Sequence, residues 1–168
     1  MLATIALYLY VSALVGAALS DLTRYEIPNV LSLAPALAFA LVAPALPVWT
    51  TLGHVGAGVV MFALGTAFFA LNVWGGGDVK LLAATTLWIG WQELPHFLLS
   101  VALLGAAIAI LLLIARAIAG RDFRRGRWYS RMLSRTSGVP YGVAIAAAAL
   151  LLLIPGEAPA PIALALLN

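Results

Sequence analysis

Two aspartates, Asp21 and Asp78, are the residues of this sequence best suited to chemistry. The 168-residue chain holds six acidic residues, and each of these two borders a long apolar stretch. Carboxylates at such positions are functional candidates by default. Two carboxylates that meet share a proton: the ionised one can take a proton from water, while the protonated one polarises a carbonyl. The pair therefore predicts hydrolysis by an activated water, with no metal and no cofactor.

Each aspartate also has an ordinary structural interpretation. Asp21 alone is typical of a polar residue that caps a helix at the membrane interface. Asp78 follows three consecutive glycines, Gly75–Gly77, as an N-cap residue commonly does. Glycines allow close backbone approach, and the start of a helix favours a negative charge. The pair indicates function more strongly than either residue, because both are predicted to lie at one face of a membrane.

The composition indicates a membrane protein. Hydrophobic residues make up 64% of the chain and charged residues 9%, whereas soluble domains have about 25% charged residues. The mean hydropathy is +1.09, so a soluble fold of this size would leave many apolar residues in water. The length predicts a single transmembrane domain over residues 1–168. The sequence has no cysteine, which excludes disulfides, thiolate zinc sites and cysteine nucleophiles.

Six apolar stretches predict an all-α fold, a polytopic bundle of six transmembrane helices. Pro28 suits the first turn of the second helix, where its missing N–H has no cost. The fourth stretch is shorter than the roughly 20 residues that usually cross a bilayer. The first stretch lacks a positive flank and is long enough to span, so no cleavable signal peptide is expected. The predicted helices cover residues 2–20, 29–46, 52–73, 79–94, 95–118 and 139–154.

The basic residues predict how the chain crosses the membrane. All nine Lys and Arg residues fall in or beside the first, third and fifth connecting loops. The positive-inside rule therefore places these loops in the cytoplasm and both aspartates at the cytoplasmic boundary. The same arrangement explains the net charge of +3 without nucleic acid as a partner. The loop Arg121–Arg135 is interpreted as a topology determinant, with binding of anionic lipid or of an acidic partner as alternatives.

Three short motifs carry a resemblance to a known family. Asp21 is followed six residues later by Ile-Pro-Asn, residues 75–80 read Gly-Gly-Gly-Asp-Val-Lys, and residues 140–142 read Pro-Tyr-Gly. In this order they resemble the first-aspartate, GxGDxK and Pro-Tyr-Gly motifs of the type IV prepilin peptidases. The resemblance implies that Asp21 and Asp78 are catalytic. It also implies a set of supporting residues: Gly75, Gly77, Lys80, Ile27, Pro28, Asn29, Pro140, Tyr141 and Gly142.

The resemblance implies an activity as well. Family members remove the short basic leader of pilin precursors at the cytoplasmic edge of the pilin's hydrophobic segment. For this chain it implies an aspartic endopeptidase of the bacterial inner (cytoplasmic) membrane, with a prepilin and membrane lipids as partners. Larger members carry a cysteine-containing insertion and also N-methylate the product. Because the first loop here is short and cysteine is absent, the chain resembles the peptidase-only branch of Flp/Tad-type pili, and we expect no methyltransferase activity.

Three other interpretations stay open on the sequence. Presenilin-like and signal-peptide-peptidase-like enzymes share GxGD, but they place Tyr before the first aspartate, where this chain has Ser20. They also have Pro-Ala-Leu near the end, where this chain has Pro-Tyr-Gly. A small proton- or cation-coupled transporter would use the same two aspartates to relay its ions. The third alternative is a non-catalytic subunit of a secretion system.

The remaining polar and aromatic residues are assigned mainly to the membrane interface. His54 and His96 are predicted at the outer ends of two helices, without a metal site. The Trp and Tyr residues are expected to be interfacial anchors, apart from Tyr141, which its motif places near the site. Lys80 is predicted either to shape the electrostatics of the site or to meet lipid phosphate. No Gly-x-Ser-x-Gly, His-Glu-x-x-His or Walker A motif occurs.

Overall fold

The computed structural model describes residues 1–118, 138–153, 159 and 161. In these residues all regular structure is helical, which confirms the all-α prediction. The loop Arg121–Arg135, predicted to set topology or to bind anionic lipid, lies outside the described residues. The helices are α1 (Leu2–Arg24), α2 (Asn29–Val42), α3 (Val48–Ala70), α4 (Gly76–Ile118) and α5 (Tyr141–Leu151), with a 3-10 turn at Ala43–Ala45.

The helices differ in their capacity to cross a membrane. Three of them, α1, α3 and α4, are long and apolar enough to do so, whereas α2 and α5 are shorter apolar helices. Large apolar side chains on the outside of these three, such as Leu19, Phe62 and Leu103, are exposed, as lipid-facing residues are. These helices support the prediction of a membrane protein. The count of six transmembrane helices stays a prediction.

The connection between α1 and α2 is a tight turn. Tyr25 has a left-handed backbone with φ of 59°, and its N–H donates to the carbonyl of Asp21 at 2.9 Å. The Ser20 hydroxyl donates to the carbonyl of Glu26 at 2.7 Å, which closes the turn. Pro28 stands immediately before the first residue of α2, as its fixed φ favours. Residues on either side of this turn therefore have fixed positions relative to one another.

Helix α4 is interrupted at Gly90, whereas the sequence predicts the boundary at Leu94–Pro95. Gly90 has φ of 72° and ψ of −177°, a combination that is essentially restricted to glycine. The ring of His54 lies directly against it, since a Cβ at Gly90 would be 2.7 Å from His54 Cε1. His54 Nδ1 also donates to the carbonyl of Leu87 at 2.8 Å. The buried His54 therefore supplies a hydrogen-bond donor to a carbonyl next to the break. Its predicted place at the membrane interface stays a prediction.

An aromatic cluster in the core connects α1, α2 and α4. Tyr10 stacks on Trp88 with the ring centroids 4.5 Å apart. Trp88 Nε1 donates to the carbonyl of Pro35 at 2.7 Å, and all three residues are buried. A stacked aromatic pair contributes about 1 kcal/mol beyond the area that it buries. Trp88 therefore fixes the register of three helices inside the bundle and does not act as an interfacial anchor.

Two glycines let α3 approach the first part of α4 closely. A Cβ at Gly58 would lie 2.5 Å from Leu87 Cδ2, and one at Gly65 would lie 2.7 Å from Val79 Cγ1. Small residues at helix contacts are common in membrane bundles because they bring the backbones together. This contact fixes the depth of Val79, and with it the position of the neighbouring Asp78 relative to α3.

Candidate active site

Asp21 lies in the last turn of α1 and points at the beginning of α5. Its Oδ2 accepts a hydrogen bond of 2.7 Å from the backbone N–H of Gly142, and the backbone of Val143 donates as well. These N–H groups belong to the first turn of α5, where no helical carbonyl is available to them. Asp21 is 6% exposed. The two donors and the partial positive charge of the helix start stabilise its ionised form.

Asp78 is the third residue of α4 and lies at the beginning of its own helix. Its carboxylate accepts a hydrogen bond from the backbone of Gly75, the residue immediately before the helix. A Cβ at Gly75 would lie 2.9 Å from Asp78 Oδ2, so any side chain there would displace the carboxylate. Asp78 is partly exposed. The close contact between Gly75 and the carboxylate explains why a glycine stands three positions before Asp78.

The two aspartates lie at the same end of the bundle. Their carboxylates are near enough for the negative charge of Asp21 to act on Asp78. Each is held by backbone N–H groups at the beginning of a helix, α5 for Asp21 and α4 for Asp78. Two helix starts therefore converge on one pair of carboxylates, and their partial positive charges offset part of the repulsion between them. The structure brings the predicted pair together, and its catalytic role stays a prediction.

Ile27, which belongs to the first motif, packs against residues of the other two motifs. A Cβ at Gly77 would lie 3.0 Å from Ile27 Cβ, and a Cβ at Gly142 would lie 2.6 Å from Ile27 Cδ1. The same Cβ at Gly142 would also lie 2.9 Å from Asp21 Oδ2. Ile27 is therefore packed between glycines of two different motifs, and a side chain at Gly142 would collide with both Ile27 and Asp21.

The other motif residues surround this centre. Lys80 Nζ donates to Asn29 Oδ1 at 2.8 Å, which ties the start of α4 to the start of α2. Pro28 sets the backbone that enters α2, and the buried Pro140 does the same for α5. Tyr141 packs on α4, since a Cβ at Gly105 would lie 3.0 Å from its Cε1. All eleven residues predicted from the motifs therefore belong to one end of the bundle, although they serve it in different ways.

An apolar groove of about 390 Å³ opens beside Asp78. Helices α3, α4 and α5 form its walls, and Phe68 packs on Trp74 at one side with the ring centroids 4.9 Å apart. Among the described residues that line it, Asp78 alone is charged. An apolar chain lying in the groove would therefore present its backbone to this carboxylate. The lining also includes Met61, Leu64, Leu82, Leu98, Tyr141 and Ile145.

The chemistry available at this end of the bundle is that of a carboxylate pair. A water molecule between the two groups could lose a proton to one carboxylate while the other, in its protonated form, donates to a substrate carbonyl. In the part of the chain that the structure describes, no three His, Cys, Asp or Glu side chains come together. No group of metal ligands can therefore be named among those residues.

Comparison of the sequence with known protein families gives a match. The sequence model of the type IV leader peptidase family matches residues 8–110. The chain belongs to this family. The matched segment contains Asp21, Ile27–Asn29 and Asp78–Lys80 and ends before Pro140. The remaining motif, residues 140–142, lies outside the matched segment. In this member of the type IV leader peptidase family, the hydrogen bond from Gly142 to Asp21 connects that motif to the segment.

Curated relatives within the family carry names with two activities. The chain is 35% identical over 120 residues to a "Prepilin leader peptidase/N-methyltransferase" of Aeromonas salmonicida, and 35% identical over 121 residues to one of Aeromonas hydrophila. Each alignment covers 67% of this chain and 41% of the relative. A Burkholderia pseudomallei protein of the same name is 34% identical over 73 residues, which cover 37% of this chain and 24% of that protein. The chain thus spans about two fifths of the length of its Aeromonas relatives, and no solved structure matches it.

Two parts of the site were not predicted from the sequence. The first is Arg116, near the end of α4, whose Nη2 donates to the carbonyl of Gly138 at 3.1 Å. Arg116 also lies beside the buried hydroxyl of Tyr25. Burial raises the pKa of Tyr25, and the guanidinium opposes that shift. Arg116 therefore links the turn after Asp21 to the segment that leads into α5, a role that its position among other loop arginines did not indicate.

The second part is the groove. Its lining residues Met61, Leu98 and Ile145 belong to apolar stretches in which inward-facing and lipid-facing positions look alike. The position of Trp74 could have indicated the groove, because this residue directly precedes the glycines before Asp78. An aromatic residue at that place was interpreted as an interfacial anchor, whereas it packs on Phe68 at the groove.

Proposed function

We propose that this protein is an aspartic endopeptidase of the bacterial inner membrane that removes the short basic leader from type IV, Flp-like prepilins. The observation that carries the proposal is that Asp21 and Asp78 lie at one end of the bundle, near enough to interact electrostatically, with Asp78 on the wall of an apolar groove. Family membership supports the reaction class. A prepilin has a cleavage site next to a hydrophobic segment, and the groove beside Asp78 suits such a segment.

The two carboxylates have different surroundings, which supports different roles. Burial of Asp21 disfavours a charge, but its carboxylate accepts backbone hydrogen bonds from Gly142 and Val143, and on these bonds we assign it the ionised role. Asp78 borders the groove with one backbone donor, Gly75, and we assign it the protonated role. A carboxyl group beside a charged neighbour is more stable when neutral, because two adjacent negative charges repel each other.

The proposed reaction follows from these roles. Asp21 takes a proton from a water molecule as the water oxygen forms a bond to the peptide carbonyl carbon. The Asp78 O–H donates to the carbonyl oxygen, which becomes negatively charged in the tetrahedral intermediate. When the C–N bond breaks, the proton held by Asp21 passes to the leaving amine. The products are a leader with a new carboxylate and a pilin with a new amino terminus.

The groove is proposed to hold the hydrophobic segment of the prepilin next to the cleaved bond. Its walls are apolar along α3, α4 and α5, and its charged member is the carboxyl group that must reach the peptide. Binding energy from the apolar segment would hold the peptide bond at the carboxylates, which is a major source of rate enhancement. The side chains of Phe68 and Trp74 at the rim would then contact the substrate first.

The active site is proposed to face the cytoplasm. Arg24, Lys80 and Arg116 all lie at the end of the bundle that carries Asp21 and Asp78, as the positive-inside rule requires of the cytoplasmic side. The basic leader of a prepilin would approach from the same side. A multi-pass location in the inner membrane agrees with the three helices that are long enough to span.

Methyl transfer is proposed to be absent. Helix α1 ends at Arg24 and α2 begins at Asn29, so the turn between them has no room for an inserted domain. The sequence contains no cysteine. We therefore expect leader removal without N-methylation, although the names of the Aeromonas relatives include both activities. Transfer of a methyl group from S-adenosylmethionine to the pilin by the purified protein would contradict this.

The test is cleavage of a model Flp-type prepilin by the purified chain in detergent, with the products identified by mass spectrometry. We expect cleavage at the leader junction, and a rate loss of about 1,000-fold in Asp21→Asn and in Asp78→Asn, because Asn cannot carry the proton. Glu93→Gln is the matched control, since Glu93 pairs with His96 away from the site. Full activity in either aspartate variant would contradict the mechanism.

One rival activity gives a different result in the same experiment. A transporter that uses Asp21 and Asp78 would leave the prepilin intact and would carry protons or cations across vesicle membranes. The interruption of α4 at Gly90 favours this rival to a small extent, because broken helices are common in transporters. Aspartate-dependent flux without cleavage would replace the peptidase proposal.

A further inference from the structure

A second groove lies on the lipid-facing side of the bundle, between α2, α3 and α4. Its volume is about 260 Å³, and none of its lining residues is shared with the groove at Asp78. Its floor is formed by small residues, among them Ala36, Ala83 and Ala84. Its edges are large apolar side chains, such as Val59 and Phe62, that are themselves exposed. The groove is therefore open to whatever surrounds the bundle.

The groove extends along the helix axis from the end of the bundle that carries the aspartates. Lys80, Ala84 and Leu87 line it and are spaced by four and three residues, which places them on one face of α4. Seven residues of helix correspond to about 10 Å. The groove thus begins at Lys80 and continues about two helical turns toward the middle of the apolar region.

The shape and lining of the groove favour a thin apolar occupant. Its volume is about 260 Å³, and the side chains along its floor below Lys80 are small and apolar. A helix with side chains has a diameter of about 10 Å or more, so it would rest on the edges at Val59 and Phe62, whereas an extended hydrocarbon chain is thin enough to lie along the floor.

A positive charge stands at the head of the groove. Lys80 Nζ donates to Asn29 Oδ1, a neutral acceptor, at 2.8 Å. In the described residues no carboxylate lies within ion-pair distance of this ammonium group. An ammonium group has three donors, so two stay available after the bond to Asn29. The protein thus combines an unneutralised cation at the membrane boundary with an apolar groove below it.

We propose that this groove is a binding site for a phospholipid with an anionic headgroup. The lipid phosphate accepts hydrogen bonds from Lys80, and one acyl chain lies along Ala36, Ala83 and Ala84. The proposal does not require the peptidase proposal, because it is tested by lipid binding and not by cleavage, although Lys80 also belongs to the motif around Asp78. Basic residues at a membrane surface favour anionic lipid by about fivefold each.

The first test measures which lipid stays bound. The protein is transferred from bilayers of equal phosphatidylcholine and phosphatidylglycerol into detergent, and retained lipid is measured by native mass spectrometry. We expect phosphatidylglycerol to be retained about fivefold over phosphatidylcholine. Lys80→Gln is expected to abolish this preference, whereas Lys80→Arg keeps it. Arg24→Gln is the matched control, because Arg24 is a cation at the same end of the bundle that does not line the groove, so its loss is expected to lower the preference less than Lys80→Gln does.

The second test fills the groove without changing charge. Ala36→Phe places an aromatic ring where the acyl chain is proposed to lie, and we expect it to lower retained lipid of both headgroups at least several-fold. Ala40→Phe, one turn along α2 at an exposed position outside the groove, is the control and should retain lipid as the wild type does. Equal retention of both lipids by the wild type, or unchanged retention in both Lys80→Gln and Ala36→Phe, would overturn the proposal.

Discussion

The two ends of the bundle each contain a buried ionisable side chain that hydrogen-bonds to the backbone of a helix where that helix starts or breaks. At one end Asp21 accepts the N–H of Gly142 at the start of α5. At the other end His54 donates to the carbonyl of Leu87 where α4 breaks. Each lies against a glycine that has no space for a Cβ, Gly142 in the first case and Gly90 in the second.

The two ends of the bundle differ in the groups that surround the buried ionisable side chain. Asp21 lies near a second carboxylate, Asp78, which borders an apolar groove of about 390 Å³. His54 lies at a cavity of about 510 Å³ whose lining combines the polar side chains of Gln92 and Glu93 with apolar ones. A side chain that caps a broken or starting helix is therefore not in itself a sign of catalysis. The second carboxylate and the apolar groove distinguish the Asp21 end as the candidate active site.

Among the glycine variants that compare the two ends, the largest expected effect is on activity, from Gly142→Ala. The new Cβ would lie 2.6 Å from Ile27 Cδ1 and 2.9 Å from Asp21 Oδ2, so it must displace the carboxylate. A displacement of about 1 Å at a catalytic group can cost about 100-fold in rate, and we expect a loss of that size in leader removal. Gly138→Ala is the control, since a Cβ there meets nothing within 4 Å. Equal rates for the two variants would remove Asp21 from the centre of the site.

The next effect is on stability, from Gly90→Ala at the opposite end. The backbone of Gly90, with φ of 72°, suits glycine, and a Cβ would also meet the His54 ring. We expect a loss of about 1–3 kcal/mol, seen as a lower melting temperature in detergent, with the cleavage rate of the folded protein little changed. Gly53→Ala is the control on the same cavity, because its Cβ would lie an ordinary 3.9 Å from Trp91 Cδ1. A large rate loss without a change in melting temperature would mean that the two ends are not separate in function.

Much of the fold and the site could be predicted because the signals are local. Pro28 and Asn29 indicate the start of α2, and the structure begins the helix there. Asp78 after its glycines indicates a helix start, and α4 does start there, but it begins at Gly76, so Asp78 lies in the first turn and is not the N-cap residue. The break at Gly90 could not be predicted, since a single glycine in an apolar stretch is common and Pro95 is the stronger local signal. The partner that lies against the break is the His54 ring, which comes from another helix.

The contact between Gly142 and Asp21 also lies beyond sequence reasoning. These residues are 121 positions apart, and only the packing of α5 on α1 brings them together. The resemblance to a family named Gly142 without a physical reason for it. The structure supplies one, because the residue must donate its N–H to a carboxylate and leave space for Ile27 at the same time.

The most direct measurement of the central claim compares leader removal by Asp21→Asn, Asp78→Asn and the variant that carries both changes. Single-turnover rates with the protein in excess over a model prepilin would detect slow residual cleavage. If the two carboxylates work as one unit, each single variant falls to the rate of the double variant, because groups that act together lose their effect together. A single variant that keeps activity which the double variant loses would show that the aspartates act separately, and would contradict the account.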